Sequence, residues 1–145
     1  MVIALLLVAV AFGEAGNPAD TITVHVVGLH SNDGMVDCAL FESPDGFPDR
    51  FETAVKTTTS KIANQEATCA FVGLAPGEYA VSLFHDENSN GKLDRNFIGM
   101  PKEGVGASND ARGHMGPPKY DDARFSYEGG VRELTIHVQY LLAPL

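Results

Sequence analysis

Short stretches of the chain alternate hydrophobic and polar residues, which is the pattern of strands that bury one face. In the first of them Ile22, Val24 and Val26 occupy every second position. The same period of two predicts strands over residues 20–29, 35–42, 66–72, 79–84 and 134–140, and the polar run over residues 55–62 is a weaker strand candidate. The 55–62 stretch is the most polar of these, so we expect it at the edge of a sheet. Because no stretch has convincing helical periodicity, the chain is expected to be all-β.

Turn sequences separate the predicted strands. Leu74-Ala75-Pro76-Gly77 is a tight-turn signal, and Glu128-Gly129-Gly130 is expected to form a hairpin turn before the last strand. The chain has 145 residues, of which 44% are hydrophobic, and this is enough to build one core. About seven short strands joined by such turns predict an antiparallel, immunoglobulin-like β-sandwich. We expect a single domain over residues 20–145.

The N-terminal segment differs from the rest because residues 2–12 are almost wholly apolar. A helix that spans a bilayer needs about 20 such residues, whereas a shorter run followed by small residues is typical of a signal peptide. We therefore expect residues 1–19 to be a signal peptide or N-terminal apolar segment, and the protein to be periplasmic or extracellular. No basic residue precedes the apolar run. A short membrane-associated tail and a buried first strand or helix remain open as alternatives.

Two cysteines, Cys38 and Cys69, lie in separate predicted strands, each on the side of the apolar residues. Two strands that face each other across a sandwich would bring these thiols together, so we expect a disulfide. Such a bond agrees with export, because disulfides persist in oxidising compartments. Two buried free thiols are the alternative. A cysteine metal site is excluded, since no further ligands lie at usable spacing.

The formal net charge of −9 disfavours nucleic acid and anionic membrane surfaces as partners, because phosphate binding needs clustered Lys and Arg. Cations and neutral partners remain. We expect a monomer without a stable transmembrane span that contacts an extracytoplasmic protein or glycan. The histidines include no pair at the spacing of zinc sites on helices, so most are expected at the surface. They are His25, His30, His85, His114 and His137.

The sequence from residue 85 to 94, His-Asp-Glu-Asn-Ser-Asn-Gly-Lys-Leu-Asp, contains oxygen-bearing side chains at alternate positions. Gly91 allows the sharp turn that wraps such a loop around a hard cation. Carboxylate, amide and backbone carbonyl oxygens together are the ligands that Ca²⁺ prefers. We therefore predict a structural calcium site. Its ligands would be Asp86, Asn88, Asn90, the backbone carbonyl of Lys92, and Asp94 either directly or through water.

The loop departs from the EF-hand pattern, in which the twelfth position holds an acidic bidentate ligand. Counting from Asp86, that position is Phe97. The flanking sequence also predicts a strand before the loop and no helix on either side. The expected affinity is therefore low, in the range of about 10⁻⁴ to 10⁻³ M found in extracellular modules. The alternative is a turn whose Asp and Asn side chains bond only their own backbone.

Residues 99–118 contain no strand or helix signal, and a loop of this length in a compact domain is usually functional or disordered. We expect it to be ordered and to fold back over the acidic loop, where Glu103 would complete the cation shell. His85 and Asn109 are further candidates for a ligand or loop contact. An ordered surface connection without a ligand is the alternative.

Three functions are compatible with these features. The first is a calcium-stabilised binding or accessory module whose long loop contacts an extracytoplasmic partner. The second is an ion-free structural or interaction domain. The third is a hydrolase with His85 as base beside Asp86, Glu103 or Ser108. No Gly-x-Ser-x-Gly elbow is present, and we therefore predict no catalytic residue.

Beyond these patterns, the chain resembles a family of uncharacterised bacterial secreted proteins, domain of unknown function 2141. The likeness covers most of the chain after the apolar segment and rests on residues 77–81 (Gly-Glu-Tyr-Ala-Val), 85–94, 99–109 (Gly-Met-Pro-Lys-Glu-Gly-Val-Gly-Ala-Ser-Asn), 116–118 and 122–125. Met100 stands where such proteins usually have isoleucine. The resemblance implies an exported β-sandwich, transthyretin-like or carboxypeptidase-regulatory-like, with no established activity and no catalytic residues to transfer.

Overall fold

Eight β-strands form two sheets in the computed structural model, which describes residues 19–142. The predicted N-terminal segment, residues 1–19, lies almost entirely outside the described residues. The strands are β1 (Thr21–Val27), β2 (Met35–Phe41), β3 (Lys56–Lys61), β4 (Ala67–Val72), β5 (Gly77–Asp86), β6 (Val105–Ala107), β7 (Phe125–Tyr127) and β8 (Val131–His137). Helical turns occur at Phe51–Thr53, Ser108–Asp110 and α1 (Tyr120–Ala123). None of the helices in residues 19–142 is long and apolar enough to cross a membrane.

The two sheets have the strand orders β4-β1-β8 and β3-β2-β5-β6, and β7 pairs with β5 beyond that path. This confirms the predicted all-β sandwich, with β3 at a sheet edge as expected. The strands β1 and β8 run parallel, with Thr21 opposite Val131. The prediction of a hairpin at residues 128–130 was wrong. This turn carries the chain from one sheet to the other, because β7 pairs with β5 and β8 with β1.

The main core lies between the sheets and contains the alternating apolar residues that the sequence predicted, including Val24 of β1 and Leu83 of β5. Cys38 and Cys69 are fully buried in it and form a disulfide. Cys38 belongs to β2 and Cys69 to β4, so the bond connects the two sheets. The predicted disulfide is therefore confirmed, and the alternative of two free thiols is ruled out.

Strand β5 is buried on both faces from Tyr79 to Asp86, although its sequence predicted burial of one face. Its second face is covered by a smaller cluster in which Phe41, Ala80 and Tyr120 are buried and the rings of Phe47 and Phe51 pack against them. Residues 43–54 and α1 supply most of this cover. Any polar side chain near the end of β5 is therefore enclosed, and it needs a hydrogen-bond partner inside the protein.

The long loop of residues 99–118 contains regular structure that the sequence did not predict. Val105–Ala107 forms β6, which pairs with β5 so that Ala107 lies opposite Ser82. A strand of three residues, Val-Gly-Ala, is too short to produce a recognisable alternation. Its position is decided by pairing with β5, and this pairing holds the preceding residues close to the acidic loop.

Loss of the disulfide is expected to lower the free energy of unfolding by about 3 to 4 kcal/mol, because the bond closes a loop of 31 residues in the unfolded chain. Urea unfolding of the same protein with and without a phosphine reductant measures this difference while leaving every side chain in place. Equal unfolding free energies in the two conditions would contradict the role assigned to the bond.

Gly34→Ala is expected to destabilise the fold by about 2 to 4 kcal/mol. Gly34 has φ +70°, and an added Cβ would overlap the backbone carbonyl of Asp86 at the end of β5. The matched control is Gly99→Ala, where φ is +84° but no atom lies within 4 Å of the added Cβ. It should cost about 1 kcal/mol, the backbone strain alone. If urea unfolding shows that both variants lose the same unfolding free energy, the overlap with the Asp86 carbonyl is not the cause of the destabilisation at Gly34.

Candidate functional site

The acidic loop begins at Asp86, the last residue of β5. The carboxylate of Asp86 bonds to backbone N–H groups further along the loop. The side chain is buried, with 3% of Asp86 exposed. Its Oδ1 accepts the N–H of Asn90 at 3.1 Å, and its Oδ2 accepts the N–H of Gly91 at 2.8 Å. Both carboxylate oxygens are thereby satisfied by backbone donors, and the chain is forced to turn sharply around them.

Three of the predicted ligands contact one another through their side chains: Asn88 and Asn90 both bond to Asp94. The Nδ2 atoms of Asn88 and Asn90 donate to the two Asp94 carboxylate oxygens at 2.7 and 2.9 Å. These hydrogen bonds, first that of Asn90 and then that of Asn88, lower the pKa of Asp94 below its ordinary value. The side-chain oxygen of Asn90 accepts the N–H of Lys92 at 3.0 Å, so the amide groups also organise the loop backbone.

The long loop folds back over the acidic loop, and Glu103 makes the connection. Glu103 is 4% exposed, and its carboxylate accepts the N–H of Glu87 at 2.7 Å and the N–H of Asp94 at 3.0 Å. The N–H of Lys102 donates to the Asp94 carbonyl at 2.7 Å. Between the two loops lies a surface cleft of about 250 Å³ lined by Glu87, Asn88, Asp94, Lys102 and Glu103.

His85 and Asn109, the other two candidates, do not join this cluster of oxygens. His85 is fully buried, and its Nε2 donates to the Asp33 carbonyl at 2.6 Å while its Nδ1 lies 2.9 Å from the Tyr140 hydroxyl. The Asn109 amide donates to the carbonyls of Asp122 and Arg124. Asn109 therefore anchors the C-terminal side of α1.

The arrangement proposed for a hydrolase does not form around Ser108. This residue is buried, and its hydroxyl donates to the Ala123 carbonyl at 2.6 Å and accepts the Val81 N–H at 2.9 Å. Val81 lies on β5 four positions before His85, so the hydroxyl is engaged away from the imidazole. Phe97, at the twelfth loop position, is fully exposed and offers no ligand.

Sequence reasoning missed Asp37, which lies on β2 opposite Phe84 of β5. Burial raises the pKa of Asp37, a hydrogen bond with Thr59 opposes the rise, and the nearby charge of Asp86 adds to it. An acidic residue inside a mostly apolar strand was the available signal. Asp37 is 49 positions from Asp86, so only the pairing of β2 with β5 brings the two carboxyl groups together.

It also missed the surroundings of His85. The Tyr140 hydroxyl, 55 positions away, accepts the backbone N–H of His30 at 3.0 Å. Burial raises the pKa of Tyr140, the hydrogen bond from His30 opposes this, and the charge of Glu87 adds to it. The hydroxyl therefore stays protonated and can donate to His85.

Glu103→Gln is expected to lower the free energy of unfolding by about 1 to 3 kcal/mol, because a buried amide group has one acceptor oxygen where two backbone N–H groups need two. The matched control is Glu128→Gln at an exposed position, which should have little effect. Urea unfolding in chelator measures both variants. An unchanged stability for Glu103→Gln would show that the loop does not depend on this carboxylate.

The family comparison agrees with the resemblance drawn from the sequence. A search of curated proteins and a search of solved structures each find no significant match. A family model described as an uncharacterized protein conserved in bacteria (DUF2141) matches residues 24–135. This range begins within β1, includes β2 to β7, the acidic loop and Glu103, and ends within β8. The chain therefore belongs to the uncharacterized bacterial family DUF2141.

Proposed function

We propose that the protein is an exported β-sandwich module in which the acidic loop binds Ca²⁺ and the ion stiffens the loops that contact an extracytoplasmic partner. The observation that supports this best is the meeting of Asn88, Asn90 and Asp94 around one point, beside the cleft lined by Glu103. No catalytic step is part of the proposal.

The amide groups explain how the loop would exchange a hydrogen-bonded state for an ion-bound state. An amide has an NH₂ group at one end and an oxygen at the other, and a half-turn exchanges them. In the hydrogen-bonded state two NH₂ groups offset the charge of Asp94. The half-turn would give up the bonds that the Asn88 and Asn90 oxygens accept from the N–H groups of Asn90 and Lys92. The freed oxygens would lie about 3 Å from the carboxylate oxygens, a spacing that suits ligands bonded to calcium at 2.3 to 2.6 Å.

Glu103 would supply the acidic ligand that is missing at the twelfth loop position, Phe97. Its buried carboxylate lines the same cleft as Asn88 and is held by two backbone N–H groups from the loop. A carboxylate from a neighbouring segment is a suitable further ligand for an ion with 6 to 8 oxygen ligands, and water would fill the remaining positions. Asp86 would hold the loop backbone in place through the N–H groups of Asn90 and Gly91. The carboxyl groups of Asp37 and Asp86 would add negative charge near the ion.

The proposed partner surface is the tip of the loop that follows the ion site. Phe97 and Ile98 are exposed large apolar residues, and Met100 is partly exposed beside them. Exposed apolar residues grouped in this way are typical of contact sites. Export is supported by the disulfide, because such bonds persist in oxidising compartments.

A second candidate is the ion-free structural or interaction domain. It is favoured by the fact that Asp86, Asp94 and Glu103 all have hydrogen-bond donors within the protein. In this case the loop would be a stable turn that needs no cation, and calcium would not affect stability.

The proposal predicts that 10 mM Ca²⁺ raises the melting temperature relative to chelator. With a dissociation constant of about 10⁻⁴ M, the ion would add about 2.7 kcal/mol, or roughly 5 to 10 °C for a domain of this size. Asp94→Asn should abolish this rise, while Asp45→Asn, at an exposed position outside the loop, should retain it.

Magnesium at the same concentration serves as the ionic control, because Mg²⁺ prefers shorter bonds and a stricter octahedral shell. The same melting temperature in calcium and in chelator would overturn the proposal in favour of the ion-free domain. Equal rises with calcium and magnesium would indicate general charge screening of an acidic protein and would overturn it as well.

A further inference from the structure

A second group of ligand-type side chains, His30, His85 and Glu87, lies at the end of β5 beside the acidic loop, with which it shares only Glu87. Successive residues of a strand point to opposite faces of its sheet. Val81 and Leu83 face the main core and His85 continues that row, while Asp86 belongs to the other row. Glu87 is the first residue of the turn after β5, and its Oε1 lies 3.6 Å from Nδ1 of His85. The core face of β5 therefore ends in the imidazole of His85, the turn adds the carboxylate of Glu87 next to it, and Asp86 lies on the other face of the strand.

The hydrogen bonds of His85 fix its tautomer. Its Nε2 must carry the proton, because the Asp33 carbonyl at 2.6 Å can only accept. In the neutral ring Nδ1 then holds the lone pair, which faces the Tyr140 hydroxyl at 2.9 Å and the Glu87 Oε1 at 3.6 Å. Metal-binding histidines commonly donate their second N–H to a backbone carbonyl in this way. The Nδ1 atom is therefore oriented as a metal-binding histidine requires.

His30 completes the group from the connection between β1 and β2. Its ring stacks on Tyr140 with centroids 4.0 Å apart, and its Nε2 contacts the Glu87 carboxylate. The ligand atoms of His30, His85 and Glu87 all lie within 4.8 Å of one another. Two imidazole nitrogens and one carboxylate oxygen thus converge although 57 positions separate His30 from Glu87.

We propose that Nε2 of His30, Nδ1 of His85 and Oε1 of Glu87 bind a first-row transition-metal dication of the Zn²⁺ or Cu²⁺ class. Imidazole suits these ions, and two histidines with one glutamate form a known three-ligand zinc set. Bonds of about 2.0 to 2.1 Å at tetrahedral angles separate ligand atoms by about 3.3 Å. The distance of 3.6 Å between His85 and Glu87 is close to this value.

The partners in this group can move enough to admit the ion. The side chains of His30 and Glu87 are 51% and 32% exposed, so their direct contact can open while His85 stays fixed by Asp33. The exposed side leaves room for water or for an exogenous ligand at a fourth position. The Tyr140 hydroxyl, 2.9 Å from Nδ1, would give up its hydrogen bond as the metal enters, because the metal takes the same lone pair of Nδ1.

This site differs in chemistry from the calcium loop and does not rest on it. Nitrogen donors favour Zn²⁺ and Cu²⁺, whereas calcium takes oxygen ligands. Asp94 belongs only to the acidic loop, and the His30 ring only to the nitrogen-containing site. Variants at these two residues therefore separate the two proposals.

The test is a titration of the complete purified chain, prepared without a histidine tag, with ZnSO₄ in a calorimeter. One equivalent of zinc should bind per chain. His30→Gln and Glu87→Gln should each weaken binding by at least about 10-fold, the scale on which even indirect partners of a metal act. The matched controls are His25→Gln and Glu133→Gln, a histidine and a glutamate that face each other at the surface without a second histidine.

Electron paramagnetic resonance with one equivalent of CuSO₄ provides an independent measurement. The spectrum should report two coordinating nitrogens in the unaltered protein and one in His30→Gln. Melting in chelator identifies any variant that is simply less stable. His85 is not varied, because it is fully buried and its replacement would disturb the core.

The proposal is overturned if no equivalent of zinc binds or if zinc affinity is unchanged in both His30→Gln and Glu87→Gln. It is also overturned if zinc affinity falls in Asp94→Asn and not in His30→Gln, because the ion would then occupy the acidic loop. A calcium effect that is lost in Asp94→Asn and retained in His30→Gln would leave the calcium proposal standing whatever the zinc result.

Discussion

Burial of β5 on both faces is the constraint on which the rest of the structure depends. The strand pairs with β2 on one side and with β6 and β7 on the other, the opposing sheet covers its first face, and an aromatic cluster covers its second. Its last two residues, His85 and Asp86, are enclosed with it. Enclosed polar groups destabilise a fold unless they are hydrogen-bonded. Three surrounding segments supply those bonds, and their positions follow from this need.

Each of these segments satisfies a particular group at the end of β5. The turn before β2 places the Asp33 carbonyl on His85, the acidic loop wraps its own N–H groups around Asp86, and the residue that follows β8 by three positions, Tyr140, offers its hydroxyl. Glu103 then joins the acidic loop to the long loop. In the described part of the chain, no buried side-chain nitrogen or oxygen lacks a partner. The loops are ordered by these hydrogen bonds, with little regular structure of their own.

Two kinds of metal ligand, imidazole nitrogens and side-chain oxygens, lie close together at the end of β5. His85 lies on the core side of the strand end and Asp86 on the other side, while the turn that follows brings Glu87 to His85 and Asn88 to Asp94. The two imidazoles therefore meet at Glu87 while the cluster of oxygens forms around Asp94, although residues 85–88 are consecutive. A hard cation and a transition-metal ion would each meet a suitable set of ligands within a few residues of the same strand.

The sequence by itself determined the all-β class, the facing cysteines and the composition of the acidic loop. These features depend on local periodicity and on spacing within ten residues, which a single chain displays directly. It also indicated Glu103, because the long loop closely follows the acidic loop.

Only the tertiary structure decided the parallel pairing of β1 with β8, the double burial of β5 and the meeting of His30 with His85 and Glu87. Each of these depends on which strands become neighbours, and strand pairing joins residues that are distant in the chain. The histidines were read for helical spacing, yet the fold brings two of them together from a turn and a strand end. The residues present fixed the chemistry that was available, and the packing of the two sheets decided which side chains share a site.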